Sequence, residues 1–188
     1  MTSGSRSEDD RVAAPLGNGV DEELRLLAAV SGGTVVLFGW SGESVQCRLR
    51  VDPPPQPLVI PKMDCTAPLP GTEAALHVLL AWLPADVMER RLRRLDRAPF
   101  VVQPRALLAM RLARVRTAGH DVVAGGVRGE VTSIAAPVRD AEGEVTDALS
   151  LIAPSVYLED LDLGAITADV ARLATGLGAA APLSPTAP

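Results

Sequence analysis

The sequence predicts an α+β fold in which helices pack on one antiparallel sheet. Strand-like segments joined by short turns predict two hairpins, and segments with helical spacing of apolar residues lie before, between and after them. With 47% hydrophobic and 22% charged residues, the 188-residue chain carries enough apolar material for one buried core. We expect one domain over residues 21–178, with a disordered leader over 1–20 and a disordered tail over 179–188.

A helix and a hairpin form the first part of this domain. The helix is predicted to take Asp21 as its N-cap and to stop at the pair Gly32-Gly33. Strands at 34–40 and 44–51 follow, joined by the turn Ser41-Gly42-Glu43. In the second strand the apolar residues alternate with polar ones, which predicts one face in contact with water; they are Val45, Cys47, Leu49 and Val51.

The middle of the chain changes from extended to helical character. Residues Pro53 to Pro57 predict a stiff connector, and Leu58 to Ile60 can pair only briefly. The segment 72–83 is apolar almost all the way round, which predicts a helix deep in the core. A surface helix over 83–95 follows, with Pro84 at its first position.

The second half alternates helices with strands. An amphipathic helix is predicted over 104–118, ending at Gly119, with Leu107, Leu108, Leu112 and Val115 on one buried face. Three strands are then predicted at 120–124, 131–138 and 145–153. A final helix that runs to Leu177 has Asp162 or Thr167 as its cap.

Composition excludes several classes of protein. A formal net charge of -5 gives no global attraction to nucleic acid, and the arginine cluster over 90–97 is interpreted as a solvated helix face. No apolar run is long enough for a membrane helix. Two cysteines, Cys47 and Cys65, make no disulfide framework, which favours the cytoplasm. Seventeen arginines against the single Lys62 are typical of a GC-rich bacterial genome.

No residue pattern predicts an enzyme. His77 and His120 are the only imidazoles, so a multi-histidine metal site is excluded, and each histidine is predicted to be a packed or surface residue. The glycine-rich run 125–129 lacks the helix that a phosphate loop requires and predicts a turn or a pocket lid. We therefore expect no catalytic residue, no metal and no cofactor.

Two segments near the end of the chain carry a family resemblance. The run from Thr132 to Val145, followed by Ala148 to Ser155, resembles the C-terminal effector-binding domain of the IclR family of bacterial transcription regulators. The similarity extends back through 112–120 and 79–84 and covers roughly residues 23–178. It implies a GAF-like or profilin-like antiparallel sheet with helices packed on it, and a small-molecule pocket between the sheet and neighbouring helices.

The resemblance implies a set of ligand-binding residues. Ala74 and Ala75 match backbone-donor positions at the start of the core helix, where free amides suit a carboxylate. Ser133 and Ser150 match polar positions on adjacent strands, and strand alternation directs both toward one face. The implied effector is a small organic or aromatic acid. The plain alternative is that both serines are small inward residues bonded to the backbone.

Three departures from the family pattern change the implied pocket. Val123 stands where the family carries an acidic pair, so a carboxylate that orients ligand hydroxyls is missing. Ile152 replaces a serine on the second strand, which makes the predicted pocket more apolar. Glu73 lies near the proposed anion site and would repel a carboxylate ligand if it faced inward. We include Val123 and Ile152 among the expected ligand-binding residues.

These observations lead to one function and two alternatives. Only about twenty residues precede the effector-like domain, whereas a winged helix-turn-helix needs on the order of 60. We expect a stand-alone sensing domain that forms a homodimer or higher oligomer and acts through a partner such as a full-length regulator, with no DNA or membrane contact of its own. A module without ligand that forms mixed oligomers is the first alternative, and a hydrolase using a pocket serine is the second.

Overall fold

The computed structural model describes residues 19–42, 44–55, 72–95, 105–126 and 130–179. It confirms the α+β fold class, with five strands in one sheet. Pro53 to Pro55 have no regular structure, whereas the segment 58–60 and the loop 127–129 lie outside the described residues. In chain order the elements are α1 Val20–Ser31, β1 Thr34–Ser41, β2 Ser44–Val51, α2 Glu73–Ala81, α3 Ala85–Leu95, α4 Arg105–Ala118, β3 Asp121–Gly126, β4 Val131–Arg139, β5 Val145–Pro154, α5 Ser155–Leu158 and α6 Leu163–Ala179.

The sheet is antiparallel throughout, in the order β2-β1-β5-β4-β3. Two sequence-adjacent hairpins, β1–β2 and β4–β5, come together because β1 also pairs with β5. Strand β5 therefore lies at the centre of the sheet, and its residues 147–154 are all buried. This position explains the nearly continuous apolar run in its sequence, since a central strand with both faces covered has no water-facing side.

Helices cover both faces of the sheet and divide the core in two. Helices α1 and α6 pack on the face that carries Leu37, Leu149 and Leu151. Helices α2 and α4 lie on the other face, against Val36, Phe38 and neighbouring strand residues. Residues 74–81 of α2 are all buried, which confirms the predicted core helix and explains why its sequence is apolar all round.

Strand β2 differs from the prediction of one wet face. The register shifts between Leu37 and Phe38, so that Leu37 pairs with Leu49 while Phe38 pairs with Cys47. Arg48 is the extra residue of this β-bulge, and an extra residue moves the side chains beyond it to the opposite face. As a result Val45 and Cys47 pack on the α2 side, whereas Leu49 and Val51 pack on the α1 and α6 side.

Helix ends follow the predicted chemistry in part. Gly32 and Gly119 adopt left-handed backbones at the ends of α1 and α4, as expected. Asp162 caps α6, since its Oδ1 accepts hydrogen bonds from the amides of Gly164 and Ala165, so Thr167 is not the cap. Asp21 is not a cap either.

The predicted cap role of Asp21 and the predicted burial of Leu107 were both wrong. Gly19 takes the N-cap position of α1, and Asp21 lies in the first turn, where its charge still complements the helix dipole. Leu107 is 54% exposed and does not share the buried face of α4 with Leu108, Leu112 and Val115. Leu107 directly precedes Leu108 on the helix, and adjacent positions are about 100° apart, so the two side chains point in different directions.

Two glycines of α6 give opposite predictions for the same substitution. A Cβ on Gly178 would overlap the backbone carbonyl oxygen of Arg139, whereas a Cβ on Gly176 would meet nothing within 4 Å. We expect Gly178→Ala to lower the free energy of unfolding by about 1–3 kcal/mol, because the β4 backbone has to move. Gly176→Ala should raise it by about 0.5–1 kcal/mol through helix propensity.

Urea unfolding of both variants measures these changes against the wild-type protein. The Gly176 variant controls for the general effect of replacing a glycine near the end of α6. Equal effects of the two substitutions would show that α6 does not approach β4 as closely as Gly178 indicates.

Candidate ligand-binding site

All of the sequence-predicted ligand residues lie at the interface between α2 and the sheet. Side-chain alternation places Ser133 of β4 and Ser150 of β5 on the sheet face that α2 covers, together with Ala135, Ala148 and Ile152. Val123 of β3 packs on the same side. From the helix, Ala74 and Ala75 are buried in this layer. The structure thus brings together residues that lie as far as 78 positions apart in the chain.

Strand pairing arranges the floor of the site in two rows. The first row is Thr34, Ile152, Ser133 and Val123, on β1, β5, β4 and β3. The second row, two residues along each strand, is Val36, Ser150, Ala135 and Asp121. The two serines are therefore diagonal neighbours on adjacent strands, with a separation of about 7–8 Å between their Cα atoms.

Both serine hydroxyls are buried without a hydrogen-bond partner among the described residues. Ser133 is 1% exposed and Ser150 is 0% exposed, and neither Oγ atom has a partner. An unsatisfied buried hydroxyl costs about 1–3 kcal/mol, and such groups are rare in native proteins. Because the alternative of backbone-bonded serines is not what the structure shows, two polar groups remain directed into the layer between α2 and the sheet.

A buried ionic cluster lies beside the second row. Asp121 Oδ2 is 2.6 Å from His77 Nδ1, and Asp121 Oδ1 accepts a hydrogen bond of 2.8 Å from Arg111 Nε. These residues come from β3, α2 and α4, so the cluster fixes α2 and α4 against the edge of the sheet. His77 is thus a packed residue, in agreement with the prediction.

This cluster was not predicted from the sequence. Val123 cannot supply the family's carboxylate, yet Asp121, two residues earlier, presents a buried carboxylate on the same face. One sequence signal could have indicated the cluster: Asp121 is a charged residue at the start of a strand and is followed by apolar residues. A charged side chain that is buried in such a strand needs a partner. Its oxygens are bonded to His77 and Arg111, so Asp121 stabilises the walls of the site.

A second cluster of polar side chains lies at the β1 and β2 end of the two rows, opposite β3. Thr34 Oγ1 donates a hydrogen bond of 3.0 Å to Asp52 Oδ1, and Arg50 Nε donates to the same carboxylate at 2.8 Å. The register Val36 to Arg50 puts Arg50 in the second row, on the α2 face. The arginines at both ends of the floor, Arg50 and Arg111, are each paired with an aspartate.

Glu73, the first residue of α2, brings a carboxylate to the helical side of the site. Its Oε2 atom is buried and has no hydrogen-bond partner among the described residues. The side chain of Thr72, the N-cap residue of α2, makes no capping hydrogen bond to this helix. The structure thus places a buried carboxylate oxygen at the start of α2.

The contact that the hydrolase hypothesis requires is not present among the described residues. A serine nucleophile needs a base within hydrogen-bond reach. His77 contacts Asp121, and among the described residues no group, His120 included, bonds to the hydroxyl of Ser133 or Ser150. Within the same part of the chain, no three histidine, cysteine or acidic side chains are grouped to hold a metal ion.

Three arginines of α3, Arg90, Arg91 and Arg93, contact neighbouring side chains. Arg90 pairs with Asp86 at 2.8 Å, and Arg93 lies 3.9 Å from Glu89. The guanidinium of Arg91 lies 3.8 Å from the centroid of the Trp40 ring, a cation–π contact. None of the helices in the described ranges has the length and apolarity to cross a membrane.

A sheet covered by helices on both faces, with a small polar site under one of them, defines the class of GAF-like regulatory domains. Residues 24–178 match the family model for the bacterial transcriptional regulator IclR C-terminal domain. The chain belongs to this family, whose members are effector-binding domains of transcriptional regulators. No curated protein sequence matches it significantly.

Several solved structures share this fold. An IclR regulator from Alicyclobacillus acidocaldarius is 22% identical with a TM-score of 0.68, over 86% of this chain and 66% of that one. A putative IclR regulator from Silicibacter is 22% identical with a TM-score of 0.73, over 89% and 67%. The C-terminal domain of the E. coli regulator KdgR is 24% identical with a TM-score of 0.67, over 88% and 97%. The chain thus spans about two thirds of the first two proteins.

Proposed function

We propose that this domain senses a small molecule that binds between the N-terminal half of α2 and strands β3 to β5. The observation that carries the proposal is the pair of buried hydroxyls of Ser133 and Ser150, which have no hydrogen-bond partner in the part of the chain that the structure describes. Each serine can donate one hydrogen bond and accept two. A ligand a few bonds long can therefore satisfy both hydroxyls and recover the free energy that their burial costs.

The surroundings of the serines indicate a ligand with a polar end and an apolar body. The first turn of α2, at Ala74 and Ala75, carries amides that suit a carboxylate, as the resemblance to the family implies, and the side chain of the N-cap residue does not bond to them. Val123 and Ile152 occupy the first row beside Ser133 and provide apolar surface. We therefore propose that the effector is an organic acid with an aliphatic or aromatic body.

The output of the sensor passes through a partner chain in this proposal. The family is one of transcriptional regulators. In this proposal, ligand binding changes the arrangement of α2 against the sheet. A second copy of the domain, or a full-length regulator, would read that change. Leu107 and Met110 on α4 are 54% and 66% exposed and give this helix an apolar surface for such association.

Replacing the two serines should separate stability from ligand binding. We expect Ser133→Ala and Ser150→Ala each to leave the free energy of unfolding unchanged or to raise it by about 1 kcal/mol, because an unsatisfied hydroxyl is removed. Both variants should lose most of the increase in Tm that a bound carboxylate gives the wild-type protein. A thermal-shift screen of aliphatic and aromatic carboxylates measures both effects.

Ser31→Ala is the matched control. Ser31 is a buried serine of α1 whose hydroxyl donates a hydrogen bond of 2.7 Å to the carbonyl oxygen of Leu27. This variant should lose about 1 kcal/mol of stability and keep the full ligand response. If no compound raises the Tm of the wild-type protein, the sensing proposal is wrong, and the interaction module without ligand becomes the better hypothesis.

A further inference from the structure

We infer that the effector carries an ammonium group beside its carboxylate, so that it is a zwitterionic amino acid recognised by Glu73. This inference rests on the proposed sensing function and assigns the chemical class of its ligand. It differs from the expectation of a simple organic acid because of one side chain. Glu73, the first residue of α2, has a buried carboxylate oxygen with no hydrogen-bond partner among the described residues.

The position of α2 on the sheet brings Glu73 to the level of Ser133. The contact between His77 and Asp121 fixes the middle of α2 at the second row of the floor. Trp40, at the far end of β1, donates a hydrogen bond to the carbonyl oxygen of Leu79, so the C-terminal half of α2 points toward that end. The N-terminus of α2 therefore points toward the first row.

Residue spacing gives the same result. Four residues along a helix rise about 6 Å, and two residues along a strand cover about 6.6 Å. His77 contacts Asp121 in the second row, and Ala135 lies in the same row on β4. Glu73 is four residues before His77 on the helix, and Ser133 is two residues before Ala135 on the strand. The carboxylate of Glu73 and the hydroxyl of Ser133 thus occupy the same end of the site, on its helical and sheet sides.

The charges around this end determine which ligand it prefers. Arg50 and Arg111 are each offset by an aspartate, Asp52 and Asp121. The N-terminus of a helix contributes about +0.5 of an elementary charge, whereas Glu73 contributes -1 when ionised. Among the described residues, an ionised Glu73 therefore leaves this end with about half a negative charge, which repels a lone carboxylate.

A zwitterion fits both groups at once. Its ammonium group donates to Glu73, which as a carboxylate can only accept hydrogen bonds. Its carboxylate lies against the first amides of α2, and the serine hydroxyls can bond to either group. The side chain of the amino acid then lies on Ile152 and Val123.

Compounds that differ by one charged group test the inference directly. We would measure the Kd by calorimetry for L-valine, isovalerate and isobutylamine, and for the corresponding set of L-phenylalanine, phenylpropionate and phenethylamine. The wild-type protein should bind each amino acid at least about 10-fold more tightly than the acid without the ammonium group or the amine without the carboxylate. A hydrogen bond to a charged group contributes a free energy of that size. The same measurement is made for the other natural amino acids and for the carboxylates of the thermal-shift screen.

Variants of Glu73 assign the preference to this residue. Glu73→Gln should weaken binding of the amino acid by about 10-fold to 100-fold and reduce or reverse the preference over the deaminated acid. Glu73→Asp retains the charge and should retain the preference. Glu22→Gln, a change of the same kind at an exposed position in the first turn of α1, should alter neither.

The outcomes separate this inference from the sensing function. Plain carboxylates that bind as tightly as the amino acids, with no effect of Glu73→Gln, would overturn the inference and leave the sensing function in place. The same conclusion follows if no amino acid binds but another compound of the screen does. A protein that responds to no compound at all would overturn the sensing function itself.

Discussion

Asp121→Ala is expected to lower the free energy of unfolding by about 3–5 kcal/mol, the usual cost of removing one partner from a buried ion pair. Asp121 is buried, and its two oxygens contact His77 and Arg111. Without this carboxylate, a buried imidazole and a partly buried guanidinium lose their acceptor. Because small domains have about 5–15 kcal/mol of total stability, the loss should be visible as a large decrease in Tm.

Denaturant unfolding measures this change, with Asp160→Ala as the control. Asp160 is exposed, and its replacement should alter stability by no more than about 0.5 kcal/mol. Asp121→Asn keeps the size of the side chain and one acceptor oxygen, so its effect should be intermediate. An Asp121→Ala protein as stable as the control variant would contradict the structural role assigned to the cluster.

Gly39→Ala should cause a loss of similar size on the opposite face of the sheet. A Cβ on Gly39 would overlap Asp147 Oδ1 and Arg48 Nε, which form an ion pair with a separation of 3.0 Å across this glycine. Asp147 is buried, and burial raises the pKa of its carboxyl group more than the charge of Arg48 lowers it. We expect about 3–5 kcal/mol of destabilisation, because separating the pair leaves a buried charge without its partner.

A thermodynamic cycle between Gly39→Ala and removal of the ion pair isolates the cause of that loss. In a protein that already carries Arg48→Ala and Asp147→Ala, the added methyl group of Gly39→Ala meets neither side chain and should cost much less than in the wild-type protein. Chemical denaturation at pH 7 gives all the required free energies. A cost that is the same in both backgrounds would show that Gly39 is needed for its backbone and not for the ion pair.

Much of the fold was predictable because it depends on local patterns. Alternation with a period of two predicts which residues share a face within β4 and within β5, and the family resemblance added that Ser133 and Ser150 match polar positions on adjacent strands. Uninterrupted apolar character predicted the burial of α2. The family resemblance followed from contiguous residues as well.

Other features depend on contacts between distant segments and were not predictable. The β-bulge at Arg48 divides the apolar residues of β2 between two faces, although the sequence alternates regularly there. The exposure of Leu107 depends on how α4 is rotated against α2. Propensity and periodicity describe one segment at a time and contain no information about its rotation or register relative to another.

The sequence by itself determined the elements, the buried helix, the paired serines and the family to which this domain belongs. Only the tertiary structure decided that both serine hydroxyls lack partners among the described residues, that Asp121 is held by His77 and Arg111, and that one oxygen of Glu73 is buried. The physical reason is that burial and hydrogen bonding are properties of a packed layer. Residues 44 positions apart, such as His77 and Asp121, meet there only after strand register and helix orientation are fixed.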